Sequence, residues 1–225
     1  MTGDKSIINE RHLECLSDSS LQRSWRSTLC DQKVLVLTDF LTQGAFDQLI
    51  KEVLSGRAMH KQGQFPTILF QLAQSTEFRE LSRILNREQI DCDQNIRWNI
   101  AIKEGHSEAT PWHYDDVLIN WVIPVILDRK CPGNGDLSIF PGLRDSTKNT
   151  LHWKAWFFRL PFLRYCLRWE IIRKIAGGED IHYRANTAYL FYGIELLHGV
   201  PWIEKEGKRV VVTLNVKDTR YMSEH

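Results

Sequence analysis

Between Pro111 and Trp121 the chain reads PWHYDDVLINW, which sets a histidine, one spacer and an acid at the mouth of a β-forming run. His113 and Asp115 on one turn can offer an imidazole and a carboxylate to a common ion. A third donor has to arrive from a distant strand, and His198 in ELLHGV follows one strand-like stretch and precedes a turn. Facial coordination by two histidines and one carboxylate leaves three positions open on a metal such as Fe(II). Eleven residues beyond His198, Arg209 opens the run RVVVTLNV. Strand alternation puts Arg209, Val211, Thr213 and Asn215 on one face. A guanidinium there could clamp a carboxylate in a bidentate fork.

Taken singly, each of these residues has a plainer reading. His113 and Asp115 could decorate a solvated turn, His198 could be a buried histidine bonded to backbone, and Arg209 could be an ordinary charged strand entry. Jointly, the plain account needs four coincidences in register. Asp116 competes with Asp115, but successive strand-like residues point to opposite sides, so Asp116 is expected to face substrate or solvent. His106 reads as a surface loop residue. His182 reads as structural, with no acid partner at ligand spacing. No CxxC pair occurs among Cys15, Cys30, Cys92, Cys131 and Cys166, which argues against a structural zinc site and a disulfide framework. Gly133 and Gly135 read as turn glycines, because no P-loop Lys-Ser/Thr follows them.

The elements that must position these residues fall into two halves. Residues 1–32 are mostly polar and are expected to form a lid or wrap. KVLVLTDFL (33–41) reads as a strand. A helix follows with Phe46, Leu49, Ile50, Val53 and Leu54 on one face and Gly56 as its stop. A second helix is predicted over 75–86, capped by Ser75, with Phe78, Leu81 and Leu85 inward. From residue 96 the period changes: IRWNIAI, VLINWVIPVIL, GDLSIF, TAYLFY and RVVVTLNV are β-rich runs separated by turn formers. Helices first and many strands later predict an α+β chain whose second half is an antiparallel sandwich or barrel. The stretch 151–176 interrupts it and reads as helix broken at Pro161.

In this order, His113-x-Asp115, GNGDLSIFPGLR, HGV and Arg209 in GKRVVVTLNV resemble the motifs of the Fe(II)/2-oxoglutarate-dependent oxygenase superfamily, most of all its small bacterial hydroxylases and halogenases acting on metabolites. The likeness spans about 33–218 and omits 145–180. It implies a double-stranded β-helix (jelly-roll) core with N-terminal supporting helices, in one domain over 1–225 with 145–180 as a helical insert. It further implies Fe(II) on His113, Asp115 and His198, and 2-oxoglutarate chelating that metal with its distal carboxylate on Arg209. Thr213, Asn99 or Asn120 would supply a second contact, since the tyrosine often found before the His-x-Asp turn is replaced by Ile102 and Lys103. Dioxygen would take the remaining position, and the cosubstrate would leave as succinate and carbon dioxide. Related halogenases carry a small residue in place of the ligand acid; with Asp115 present, hydroxylation or desaturation is expected instead.

A formal net charge of +1 creates no field that would favour nucleic acid. The start MTGDKSIINERH has no apolar signal core, and no stretch of about 18 apolar residues spans a bilayer. These features and the scattered cysteines predict a cytoplasmic protein. The 151–176 segment interleaves Trp153, Trp156, Phe157, Phe158, Phe162, Tyr165 and Trp169 with Lys154, Arg159, Arg164, Arg168, Arg173 and Lys174. It could fold over the barrel or make a dimer contact. It could also lie on a membrane surface or grip an amphiphilic substrate. Two rivals to the oxygenase are weighed: a non-catalytic jelly-roll binding protein that uses this segment, and a cupin-type metal enzyme without 2-oxoglutarate. Retention of all three ligand residues together with Arg209 argues against the first, and Arg209, which has no obvious purpose without a carboxylate cosubstrate, argues against the second.

Overall fold

In the computed structural model, the residues described are 6–55, 67–86, 96–104, 110–127, 135–141, 144–145, 150–151, 166–167, 169–200 and 208–216. The N-terminal half is helical around one edge strand. Its elements are α1 (Glu10–Leu13), continued by a 3-10 turn (Glu14–Leu16), α2 (Ser19–Asp31), β1 (Leu35–Leu37), α3 (Gln43–Leu54), α4 (Thr67–Gln74) and α5 (Thr76–Leu85). The second half contains β2 (Ile96–Glu104), β3 (Thr110–His113), β4 (Ile119–Leu127), β5 (Leu137–Phe140), β6 (Arg144–Asp145) and β7 (Thr150–Leu151). After these come α6 (Glu170–Ile175), β8 (Glu179–Ile181), β9 (Ala188–Phe191), β10 (Leu197–Val200) and β11 (Lys208–Val216).

The strands form a five-stranded sheet ordered β1-β9-β4-β11-β2 and a four-stranded sheet ordered β3-β10-β5-β8, with β6-β7 as a separate hairpin. Every pairing is antiparallel. This is the α+β, double-stranded β-helix (jelly-roll) architecture expected from the sequence. β4 is buried along nearly its whole length, which explains why VLINWVIPVIL reads as a continuous apolar run rather than an alternating one. Pro124 is tolerated there because the ladder to β11 slips beside it, pairing Val210 with Ile126 but Val211 with Pro124.

Alternation divides the large sheet into two faces with separate duties. Trp121, Ile123, Leu190, Val210, Val212 and Leu214 join the main core beneath the helices. Val122, Tyr189, Phe191 and Val211 turn the other way and meet Leu137, Ile139 and Leu196 between the sheets. On the helical side, Phe78 packs against Trp121 with ring centroids 4.8 Å apart. The predicted second helix is α5, and Ser75 caps it by accepting the Phe78 N–H at 3.2 Å.

Four expectations need correction. Residues 10–31 are not a lid or wrap: they form helices whose Cys15, Trp25 and Leu29 enter the main core, with Asp18 capping α2 through the Ser20 and Leu21 N–H groups. The 33–41 strand shrinks to Leu35–Leu37, because Asp39 adopts a left-handed conformation (φ 48°) that ends regular pairing. The chain beyond it is held by Asn186, whose amide accepts from the Leu41 N–H and donates to the Leu41 carbonyl, both at 3.0 Å. Leu54 is 60 % exposed rather than inward-facing. The helical insert also ends earlier than 180, since Glu179–Ile181 is a strand paired with β5. Gly56, His106, Cys92, Cys131, Gly133, His152, Pro161 and most of the aromatic insert lie outside the described residues. No described helix is long and apolar enough to cross a membrane.

Candidate metal centre

His113 ends β3 and His198 lies in β10, and the two are directly paired in the antiparallel register. That pairing sets their side chains next to each other on the inner face, with ring centroids 4.5 Å apart. Asp115 follows the strand after a single spacer, Tyr114, and its N–H donates to the Gly193 carbonyl at 3.1 Å. The carboxylate thereby lands between the two rings. His113 Nε2 is 3.2 Å from one carboxylate oxygen, and His198 Nε2 is 3.1 Å from the other. Donor atoms of all three lie within 4.8 Å of one another. Cis ligands on an octahedral ion with bonds of about 2.1 Å sit about 3 Å apart, so the two His–Asp separations match such a site.

The orientation of each donor has a visible cause. His198 Nδ1 lies 2.9 Å from the Leu196 carbonyl, so the ring carries a proton there and presents Nε2 inward. Phe191 meets the same ring edge-on at 4.7 Å. The Asn120 amide donates to Asp115 Oδ2. A Cβ on Gly193 would sit 2.9 Å from Asp115 Cβ and 2.8 Å from Val117 Cγ2, so only glycine leaves the acid its place. Gly199, beside His198, is likewise covered by Trp112 at 2.7 Å from the position of an added Cβ. Burial pushes the Asp115 carboxyl upward, but hydrogen bonds from His113 and His198 outweigh it and hold the group well below the usual carboxylate range. An anionic carboxylate and two imidazoles in contact form a donor set suited to a divalent cation.

These side chains line a cavity of about 230 Å³ between the sheets. Arg209, Thr213, Asn99 and Asn120 line it too. Arg209 is 8 % exposed and its guanidinium lies over the Tyr183 ring, 5.1 Å from the centroid. The predicted face of β11 is the observed one, because Arg209, Val211, Thr213 and Asn215 all face this cavity. Asn120 differs from expectation: its amide is spent on Asp115 rather than aimed at a cosubstrate. Thr213 Oγ1 makes a long 3.5 Å bond to the Asn99 carbonyl. Asp116 is exposed.

His182 has an acid partner that sequence spacing does not reveal, Asp136, whose carboxylate lies 2.5 Å from Nδ1. That pair lies at the surface end of β8, and the His182 side chain is 73 % exposed. Sequence reasoning missed Tyr183, Gly193 and Phe191. Gly193, in FYGIELLHG, was open to notice as a glycine between two apolar runs; the other two carry no spacing signal.

No protein-family model matches the sequence, and no curated protein sequence matches it. Solved structures do. The chain is similar to prolyl 4-hydroxylases from Phytophthora capsici, at 15 % identity and a TM-score of 0.63 over 98 % of this chain and 68 % of that one. It is similar to HygX from Streptomyces hygroscopicus with nickel and 2-oxoglutarate bound, at 12 % identity and 0.60 over 90 % and 89 %. It is also similar to SnoN, a non-heme α-ketoglutarate-dependent epimerase from nogalamycin biosynthesis, at 11 % identity and 0.59 over 89 % and 82 %. At these identities the likeness is one of architecture, and the chain carries the fold that these proteins share.

Proposed function

We propose that the protein is an Fe(II)- and 2-oxoglutarate-dependent dioxygenase that hydroxylates an unactivated carbon of a small or amphiphilic molecule, releasing succinate and carbon dioxide. One observation carries this reading: the His113–Asp115–His198 cluster and Arg209 line the same cavity. The structural neighbours named above support it, since HygX holds 2-oxoglutarate and SnoN depends on it. The charges also balance. A divalent metal and the Arg209 guanidinium are matched by Asp115 and the dianion of a dicarboxylic cosubstrate, which keeps a buried site from holding uncompensated charge.

Iron with 2-oxoglutarate and dioxygen supplies the oxidising power when bound. The chain's own residues hold and orient. His113, Asp115 and His198 would hold the metal at the wall of the cavity they line. Arg209, on the buried face of β11, would take the distal carboxylate in a fork and so orient the cosubstrate. Val122, Val211 and Phe191 keep water from the intervening space. With a carboxylate at Asp115, where a related halogenase would carry a small residue, the donor set would favour oxygen insertion over halogen transfer. A cavity of about 230 Å³ lies below the common range for drug-sized ligands, which suits a small substrate or the end of a longer one.

Anaerobic addition of Fe(II) and 2-oxoglutarate is expected to produce a weak visible charge-transfer band, absent in His198→Ala, and admission of air is expected to yield succinate. Metal-loaded protein showing neither band nor succinate would end the oxygenase reading.

A further inference from the structure

We propose that α6 is the face by which the protein lies on an anionic lipid bilayer, its exposed isoleucines entering the acyl boundary while the basic segment around it meets the headgroups. This surface is separate from the residues that line the metal cavity, and its role does not depend on the oxygenase reading above.

Three of the six large apolar side chains that stand exposed among the described residues, Trp169, Ile171 and Ile175, fall within seven residues of chain. Scattered exposed apolar residues are ordinary, whereas a cluster of them marks a contact. Ile171 and Ile175 are about one helical turn apart and share a face. The opposite face is already committed, because Ile172 and Ala176 pack against the cluster of Trp112, Phe140, Leu167 and Leu197. The helix is also held firmly. Arg173 donates twice to Asp180, at 3.0 and 2.8 Å, and once to the Leu167 carbonyl at 3.2 Å. Ser138 of β5 donates to the same carboxylate. Gly178 lets the chain pass against Phe140, whose ring an added Cβ would meet at 2.7 Å. The small sheet thereby presents the apolar face outward before any contact forms, so docking costs little ordering.

Charge identifies the partner. Between 151 and 176 the chain places six basic residues against a single acid, Glu170, although the whole chain carries a net charge of only +1. Lys174 pairs with Glu170 at 2.5 Å, and Arg173 is taken by Asp180. The basic excess of the segment therefore lies in Lys154, Arg159, Arg164 and Arg168, interleaved with aromatic residues. Tryptophan, arginine and lysine beside exposed aliphatic side chains suit the headgroup layer of an anionic bilayer. A contact between two copies would set like charge against like charge, and the centre of a protein–protein interface is depleted of lysine.

The test is co-sedimentation with vesicles of pure phosphatidylcholine and with vesicles in which about one-third of the lipid is phosphatidylglycerol. Wild-type protein is expected to bind the anionic vesicles at least about 10-fold more tightly than the neutral ones, and to lose that advantage as salt rises. Ile171→Glu/Ile175→Glu is expected to weaken binding to the anionic vesicles by about 10-fold or more. Both side chains are exposed, so this variant should keep the melting temperature and Fe(II) affinity of the parent. Ile171→Ser/Ile175→Ser serves if the charged variant does not fold. Undiminished binding by the folded variants overturns the proposal, as does wild-type protein that binds neither vesicle or binds both equally. Protein that ignores vesicles but forms a dimer, which the same substitutions dissolve, overturns it in favour of a contact between copies. None of these outcomes touches the oxygenase reading.

Discussion

At the scale of single residues, the metal cluster depends on groups that are not themselves donors. Asn120 sits in β4 directly opposite Phe191, and its amide is committed to Asp115 Oδ2. That bond fixes which carboxylate oxygen faces His198. Removing partners of this kind commonly lowers metal affinity by about 10–100-fold. Asn120→Leu is therefore expected to weaken Fe(II) binding by a factor in that range, read by competition with a chelator, with the fold preserved because the site is buried and leucine is of similar size. Unchanged iron affinity would show that the amide does not orient the acid. The donors themselves were legible because a His-x-Asp pair has a fixed spacing on one turn. Asn120 looked like a cosubstrate contact because alternation tells which face a residue takes, not which neighbour on that face it binds.

At the scale of elements, α6 shows how a charge can be buried and an apolar residue exposed. Trp169, Ile171 and Ile175 stand 59, 72 and 82 % exposed, whereas Arg173 is 6 % exposed. The reason is a partner seven residues on. Gly177, at φ +83°, turns the chain after α6, and β8 brings Asp180 back to within 2.8 Å of the Arg173 guanidinium. Helical periodicity registers only residues on the same helix, so it gives no sign of an ion pair completed from the following strand. Burial raises the Asp180 carboxyl, but hydrogen bonds from Arg173 and Ser138 prevail and lower it. A lowered folded-state value means that the stabilisation is present above the ordinary carboxylate range and is lost as pH falls. Arg173→Met is expected to cost about 3 kcal/mol at neutral pH, the low end for breaking a buried pair. The gap between it and the parent protein should close below about pH 4. A gap that stays constant in denaturant titrations from pH 7 to pH 3 would assign the loss to packing instead.

At the scale of the whole molecule, β11 does two jobs at once. Its even-numbered residues from Val210 to Val216 are fully buried against the helical layer, and its odd-numbered residues from Arg209 to Asn215 line the cavity. This division was readable in the sequence because a strand's period of two leaves little choice. The helical layer was harder to read. In α2 only Trp25 and Leu29 are buried, so the segment looks polar until the sheet beneath it is known. α4 went unrecognised because its apolar positions TILFQLA form a short run that periodicity cannot tell from a strand. If the helices support the sheet and take no part in chemistry, damage on their side should lower stability without touching the site. Phe78 tests this, being wholly buried against Trp121 on the face opposite the cavity. Phe78→Ala is expected to destabilise the protein by about 3–5 kcal/mol, as the loss of a buried aromatic does. At a temperature where the variant is still folded, its Fe(II) affinity should equal that of the parent. A parallel fall in metal affinity would mean that the two faces of the large sheet are mechanically coupled, and that the helical layer sets the geometry of the cluster as well as its stability.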